Sequence, residues 1–200
     1  MSNSFHKHGL KFIQFDICDY YGSISDNLFR EAIDWARRVT LVSDDEVDIL
    51  FQTKKSLLFD GKDTWKKRGN SDFNIGMGSW DGAESTDLVG LFLLNKLKNL
   101  HADICLYRDD GLLVTRGTAR QNEKLKQELI KIFQKYGLKL EVDANHTKVN
   151  FLDITLDLMT GLYTPYKKDN NTIHYIDTKS NHPPTVRLTS DTTSPYSTPV

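Results

Sequence analysis

Three aspartates stand at the ends of apolar runs, where a carboxylate has no packing reason to be. Asp16 closes Lys11–Ile17 (KFIQFDI), which alternates apolar and polar residues and is rich in aromatic and β-branched types, the pattern of a half-buried strand. Asp109 and Asp110 form the polar tip of Asp103–Thr115 (DICLYRDDGLLVT), two apolar runs that read as a hairpin with Asp110-Gly111 in the turn. Neighbouring carboxylates repel, and a fold that keeps them often neutralises them with a cation. With the hairpin beside the Lys11–Ile17 strand, three carboxylates converge at one end of a sheet. Mg²⁺ takes oxygen ligands, typically one or two carboxylates plus substrate phosphates. Two such ions support in-line displacement at phosphorus. By themselves, the same residues read rather as an ordinary Asp-Gly turn, with Asp16 a helix-proximal cap.

The elements that must hold these residues follow from periodicity. After a break at Gly22, Leu28, Phe29, Ala32, Ile33 and Ala36 recur at helical spacing, with Ser25 or Asp26 as N-cap. Ser43-Asp44-Asp45-Glu46 has the form of a capping box and opens a helix expected to reach about Leu58. A turn follows at Asp60-Gly61, then a loop or hairpin over 62–82 containing Gly69, Gly76, Gly78 and Gly82. An apolar helix is expected over Ala83–Leu100, and an amphipathic one over Arg120–Tyr136 with Gly137 as its C-cap. Leu138–Val142 and Val149–Leu158 read as strands, followed by a turn at Gly161 and a short hairpin. The order mixes helices with an antiparallel sheet, an α+β fold with the helices on one face.

Composition bounds the class. The chain has 200 residues, 38% of them hydrophobic and 26% charged, and a mean hydropathy of −0.48. No stretch approaches a membrane span of about 18 apolar residues, and the first residues lack the apolar core of a secretion signal. Cys18 and Cys105 form neither a disulfide framework nor a zinc pattern. An intracellular location is therefore expected. The net charge of −1 hides alternating blocks: residues 51–68 carry six Lys/Arg against two Asp/Glu, and 111–139 carry seven against two, while 1–50 and 69–110 are each net −4. Alone, such blocks describe solvated faces.

Phe15–Ile24 (FDICDYYGSI) and Tyr107–Gly111 (YRDDG) resemble motifs A and C of reverse transcriptases. The first matches an aspartate followed five residues on by an aromatic, Asp16 and Tyr21; the second matches an aromatic, a variable residue and two aspartates. Ile75–Glu84 (IGMGSWDGAE) is similar to motif B at Gly78 and Ser79, with Trp80 in place of the family's proline and Asn74 near its glutamine. The resemblance implies an RNA-directed DNA polymerase palm using two Mg²⁺ or Mn²⁺ ions, dNTPs, an RNA template and a DNA primer. It makes Asp16 and Asp109 shared metal ligands, Asp110 the accessory carboxylate, and the Ile17 carbonyl a further ligand. Tyr21 becomes a steric gate against the ribonucleotide 2′-hydroxyl, with Asp19 and Tyr20 near the triphosphate. Lys148 takes the place of a general acid for pyrophosphate, and Phe151-Leu152-Asp153 that of the turn supporting the primer end.

Within the family, FLDITLD and the later Ser180-Asn181-His182-Pro183 resemble the segment after the palm in Penelope-like retroelements. The resemblance thus divides the chain into a palm over 1–160, a connection over 161–184 and a disordered Ser/Thr/Pro tail over 185–200. Only 15 residues precede Asp16 and the chain runs out into the Ser/Thr/Pro tail, so the fingers and the thumb are expected to be largely missing, as in a fragment of a retroelement polyprotein or a decayed or mis-predicted copy. Lys54, Lys55, Lys66, Lys67 and Arg68, with Lys124, Lys126, Lys131 and Lys135, are expected to flank the acidic site and touch phosphates without base specificity. The alternatives are an inactive nucleic-acid-binding remnant, which needs only these basic blocks, and another two-metal enzyme such as a palm-type cyclase or nuclease.

Overall fold

The computed structural model describes residues 9–55, 57–66, 72–100 and 102–166, the side chain of Lys66 excepted. The chain divides into a unit over Met1–Tyr166 and a second over Lys167–Val200, and the second, with the expected tail, lies outside the described residues. In order, the elements are β1 (Lys11–Ile17), α1 (Tyr20–Ser23), α2 (Asp26–Ala36), α3 (Asp44–Thr53), β2 (Leu57–Phe59), β3 (Thr64–Lys66) and α4 (Gly82–Leu97). Then follow β4 (Asp103–Tyr107), β5 (Asp110–Thr115), α5 (Ala119–Lys135), β6 (Leu140–His146), β7 (Lys148–Phe151), β8 (Ile154–Asp157) and β9 (Leu162–Pro165). The fold is α+β.

The central sheet has the order β4-β5-β1-β6, and every pair in it is antiparallel. Strand alternation gives it two different faces. Ile13, Phe15 and Ile17 of β1 and Leu113 of β5 enter the main core with Phe29, Ile33, Phe92, Leu93, Leu129 and Phe133 from α2, α4 and α5. The helices thus lie on one side. On the other side Phe12 and Leu112 meet Val149 and Phe151 of β7, with Leu156 of β8 packed against them. Gln14 ties the two sheets together by donating from Nε2 to the Asn150 carbonyl at 3.0 Å.

Local chemistry explains the helix starts. Ser25 accepts from the Leu28 N–H at 3.1 Å, and Ser43 forms a complete capping box with Glu46. The Ser43 bonds hold the exposed Glu46 carboxyl below its usual range. A second capping box, Thr118 with Gln121, starts α5 one residue earlier than the apolar periodicity predicts. At its other end Gly137 takes φ +76°, as a helix-terminating glycine does.

The root of the β2–β3 hairpin is built around aromatic rings. Phe29, Phe51 and Phe73 pack with centroids 5.5–5.7 Å apart. Arg30 lies over the Phe51 ring at 4.2 Å. The helix α3 ends at Thr53 rather than near Leu58. Lys54 turns inward there, 2% exposed, and its ammonium forms an ion pair with Asp81 at the head of α4. Its carbonyl also accepts from the Asn74 N–H at 2.8 Å.

One further expectation is corrected: Val149–Leu158 is two strands, because Leu152 takes φ +53° and reverses the chain between β7 and β8. After Gly161, Leu162–Pro165 pairs back on β8 and makes a three-stranded meander, while the rest of the expected hairpin lies outside the described residues.

Two substitutions test these packing arguments by chemical denaturation. Gly111 lies opposite Phe15 in the register, and a Cβ there would overlap the Phe15 ring. Gly111→Ala is expected to cost about 1–3 kcal/mol, the range for overpacking. Truncating one partner of a buried pair costs about 3–5 kcal/mol. Asp81 is 34% exposed, so solvent screening lowers the expected cost of Lys54→Met to about 2 kcal/mol.

Candidate active site

The pairing of β1 with β5 ends at Asp16 opposite Asp110. The Ile17 N–H donates to the Asp109 carbonyl at 2.9 Å, which makes Asp16–Asp110 a non-hydrogen-bonded pair, the type whose side chains approach most closely. Both carboxylates project from the face opposite the helices. Asp109 sits beside them in the turn. A residue's N–H and C=O point toward the same neighbouring strand, so the Ile17 carbonyl is also turned toward Asp109. The geometry thus gathers Asp16, Asp109, Asp110 and the Ile17 carbonyl at one end of the sheet.

The turn itself differs from the Asp-Gly expectation. Tyr107 pairs with Asp110, leaving Arg108 and Asp109 as a two-residue loop. Arg108 takes φ +53°, a conformation glycine would adopt without steric cost. Gly111 is instead a strand residue, kept without a Cβ by the Phe15 ring that crosses it. The Arg108 guanidinium lies 5.5 Å from the centre of the Tyr107 ring.

Sequence reasoning missed Glu141. Register places it directly across β1 from Asp16, on β6, so one row runs Tyr107, Asp110, Asp16, Glu141 across the sheet. The alternation Leu138, Leu140, Val142 against Lys139, Glu141, Asp143 carried that signal. The Asp16 carboxyl is raised above its usual range, first by partial burial and then by the charges of Asp109, Asp110 and Glu141.

Among the described residues no three acidic, histidine or cysteine side chains already enclose a position for a metal ion. The donors at this end of the sheet are nonetheless all oxygen, the chemistry of Mg²⁺ or Mn²⁺. Mg²⁺ is ordinarily held by one or two carboxylates completed by substrate phosphates, not by an all-protein cage. The carboxylates gathered at this end of the sheet suit that use.

After β1 the chain turns through Asp19, at φ +47°, into the single turn of α1. Asp19 is exposed, with its carboxylate packed under Gly22, where a Cβ would come within 2.6 Å of Oδ2. Tyr20 does not face the open side: it is buried, and its hydroxyl donates to the Thr86 carbonyl of α4 at 2.8 Å. Burial, then the Asp87 charge, pushes its phenol up. Tyr20 is thus a post between the end of β1 and α4, not a nucleotide contact. Tyr21 is half-buried, its ring 6.3 Å from that of Tyr20.

The segment resembling motif B is a compact loop. Gly78 takes φ +85°, and Ser79 bonds the Gly76 carbonyl through Oγ at 2.8 Å and through its N–H at 3.1 Å. Gly82 leaves room for this, since a Cβ would meet Ser79 Oγ and the Gly76 carbonyl. The carboxylate of Asp81, the N-cap residue of α4, caps no N–H and instead meets Lys54.

The basic residues are dispersed. Lys54 is buried and ion-paired, which removes it from any nucleic-acid surface. Lys55 is exposed, whereas the Lys66 side chain, Lys67 and Arg68 lie outside the described residues. Lys124 and Lys131 are exposed on α5, interleaved with Glu123 and Glu128. Because α5 packs its Leu129 and Phe133 on the helical face of the sheet, these lysines do not flank Asp16 and Asp110. Lys148 is exposed across the strand pair from Asp157, whose carboxyl is held low chiefly by the N–H groups of Met159 and Thr160 and to a lesser degree by this lysine.

No family model and no curated protein matches the chain. Solved structures do. An apo telomerase of Candida tropicalis superimposes with a TM-score of 0.64 at 14% identity over 78% of this chain and 33% of the telomerase. The same telomerase truncated from its C-terminal domain gives a TM-score of 0.61 at 16% identity, covering 78% of this chain and 35% of the other. The RNA-dependent RNA polymerase of a human picobirnavirus gives 0.54 at 14% identity, over 74% and 29% respectively. This chain spans about a third of each of these neighbours. Among the described residues no helix is long and apolar enough to cross a membrane. At these identities the likeness is one of fold: the chain has a polymerase palm-like fold.

Proposed function

We propose that this chain is the palm of an RNA-directed DNA polymerase from a retroelement, extending a DNA primer on an RNA template with dNTPs. The observation that carries the reading is the β1–β5 register, which sets Asp16 beside Asp110 on the open face with Asp109 in the adjoining turn. The polymerase palm-like fold around that register supports it. The Penelope-like assignment rests on the sequence resemblance, including the Phe151-Leu152-Asp153 run, which forms the turn between β7 and β8.

In this reading Asp16, Asp109, Asp110 and the Ile17 carbonyl hold two Mg²⁺ or Mn²⁺ ions. When bound, such ions lower the pKa of the attacking 3′-hydroxyl and stabilise the leaving pyrophosphate. Asp16, central between Asp110 and Glu141, is kept ionised by that positive charge despite its carboxylate neighbours. Tyr21 closes the sugar side of the nucleotide site. The Gly78-Ser79 turn bounds the base side and is fixed by its bonds to Gly76. Tyr20 holds β1 against α4, so that Asp16 and Tyr21 keep their spacing.

Primer extension of oligo-dT on poly-rA measures the reaction. Metal ions supply several kcal/mol of transition-state stabilisation, so Asp109→Asn with Asp110→Asn should lower the rate by about 10³-fold or more at 1.36 kcal/mol per decade. Extension that survives the double change refutes the mechanism. Salt-sensitive binding with no extension by the unaltered chain assigns it instead to the inactive remnant.

Tyr21→Ala should raise ribonucleotide use relative to deoxynucleotide use by about 10- to 100-fold, the range for removing a steric exclusion of this size. An unchanged ratio removes the gate role. Thermal melting supplies a readout without catalysis. Saturating Mg²⁺ should stabilise the unaltered chain by about 1–2 kcal/mol, a shift of a few degrees. The Asp16→Asn, Asp110→Asn chain should show no shift.

A further inference from the structure

The β2–β3 hairpin leaves its apolar side chains in solvent. Leu57, Leu58, Phe59 and Trp65 are 62%, 73%, 69% and 58% exposed. A two-stranded hairpin with neither face covered is marginal in water, yet this one is well anchored. Its root is the Phe29–Phe51–Phe73 packing, reinforced by the bridge between Lys55 and Phe73. Its turn is equally fixed. Asp60 Oδ1 accepts from the N–H groups of Lys62 and Asp63 at 2.9 and 2.7 Å. Oδ2 accepts from the Trp65 indole at 3.0 Å. The Trp65 ring is therefore held in place although exposed. The loop that follows Phe73 carries Trp80, which is fully exposed.

We propose that this hairpin is a stacking platform for single-stranded nucleic acid, with Trp65 the principal stacking residue and Trp80 a second. Three observations select that occupant. A pinned, exposed indole at Trp65 suits base stacking, which tolerates any sequence because every base has a π-face. The charge is complementary: residues 51–68 carry six Lys/Arg against two Asp/Glu, and even without the buried Lys54 the excess is positive. Asp60 and Asp63 reduce that excess in the segment without removing it. Size argues against a protein partner. Two strands of three residues offer a face of roughly 100 Å² at β spacing, against about 800 Å² per side in a stable protein interface. The inference shares with the proposed function a nucleic-acid partner, but it needs neither the aspartates nor a metal ion.

The test uses the full-length Asp109→Asn, Asp110→Asn chain in EDTA, with fluorescence anisotropy of a labelled oligo-U strand. Failure of the polymerase reading then leaves the result unaffected, and the reverse also holds. Trp65→Ala should weaken binding about tenfold and Trp80→Ala severalfold, from the usual contribution of a stacked base. Leu91→Ala, an exposed apolar position on α4, should change nothing. Trp65→Phe keeps a ring and should retain most of the affinity. Lys55→Gln with Lys62→Gln should flatten the salt dependence, whereas the tryptophan variants should leave its slope intact. Circular dichroism melts confirm that each variant is folded.

Affinity of Trp65→Ala within twofold of the parent overturns the proposal, as does Trp65→Phe binding no better than Trp65→Ala. A Trp65→Ala change that dissolves a dimer while leaving strand binding intact also overturns it, and identifies a self-association surface.

Discussion

The register between β1 and β5 is the constraint on which the rest depends, because it decides on which side of the sheet every carboxylate falls. The side-chain period of a strand is two, so a slip of one residue would send Asp16 into the core and Phe15 into solvent. What prevents the slip is the helical face. Ile13, Phe15, Ile17 and Leu113 are all nearly fully buried there, each worth about 1.5–3 kcal/mol. Opposing them, two carboxylates about 5 Å apart repel by roughly 1 kcal/mol in water and about 3 kcal/mol in a surface environment of intermediate dielectric. Burial on one face outweighs repulsion on the other. The fold thus holds like charges together by means that do not involve them.

Phe15 and Gly111 make this lock specific. The Phe15 ring crosses Gly111 and meets Phe133 of α5 edge-on at 5.6 Å, so one glycine couples the site strand to its neighbour and to a helix behind it. That use of Gly111 explains why the hairpin reverses through Arg108, in a left-handed conformation, rather than through the glycine three residues on. The preference of Asp-Gly for tight turns is a local preference of modest size. Seating a phenylalanine ring is a tertiary demand, and it prevails.

The same division between local and tertiary causes separates what was legible in the sequence from what was not. Ser25 and Ser43 announce their helices because a cap is satisfied within four residues. The β4–β5 hairpin and the convergence of Asp16, Asp109 and Asp110 follow from alternation and adjacency. Long-range choices were not legible. Lys54 reads as one cation in a basic block until Asp81, far along the chain, claims it. Tyr20 reads as a neighbour of the triphosphate until the Thr86 carbonyl claims its hydroxyl. Glu141 is an ordinary alternating residue until the strand order places β6 beside β1. Lys124 and Lys131 share the sign of a phosphate-binding surface, but α5 packs on the helical face.

Taken together, the faces impose an order on any encounter with a polyanion. The open face carries Asp103, Asp110, Asp16, Glu141 and Asp143, with His146 the basic side chain in the same rows. Its field repels phosphate, and at physiological ionic strength that repulsion extends about 8 Å. A nucleic-acid strand therefore has no electrostatic reason to approach these carboxylates until cations offset them. The segment 51–68 that contains the β2–β3 hairpin has the opposite sign in its sequence, and the hairpin exposes Phe59 and Trp65. Contact there is independent of divalent ions, whereas contact at the aspartates is conditional on them. On this argument the carboxylate face and the proposed stacking hairpin have separate ionic requirements.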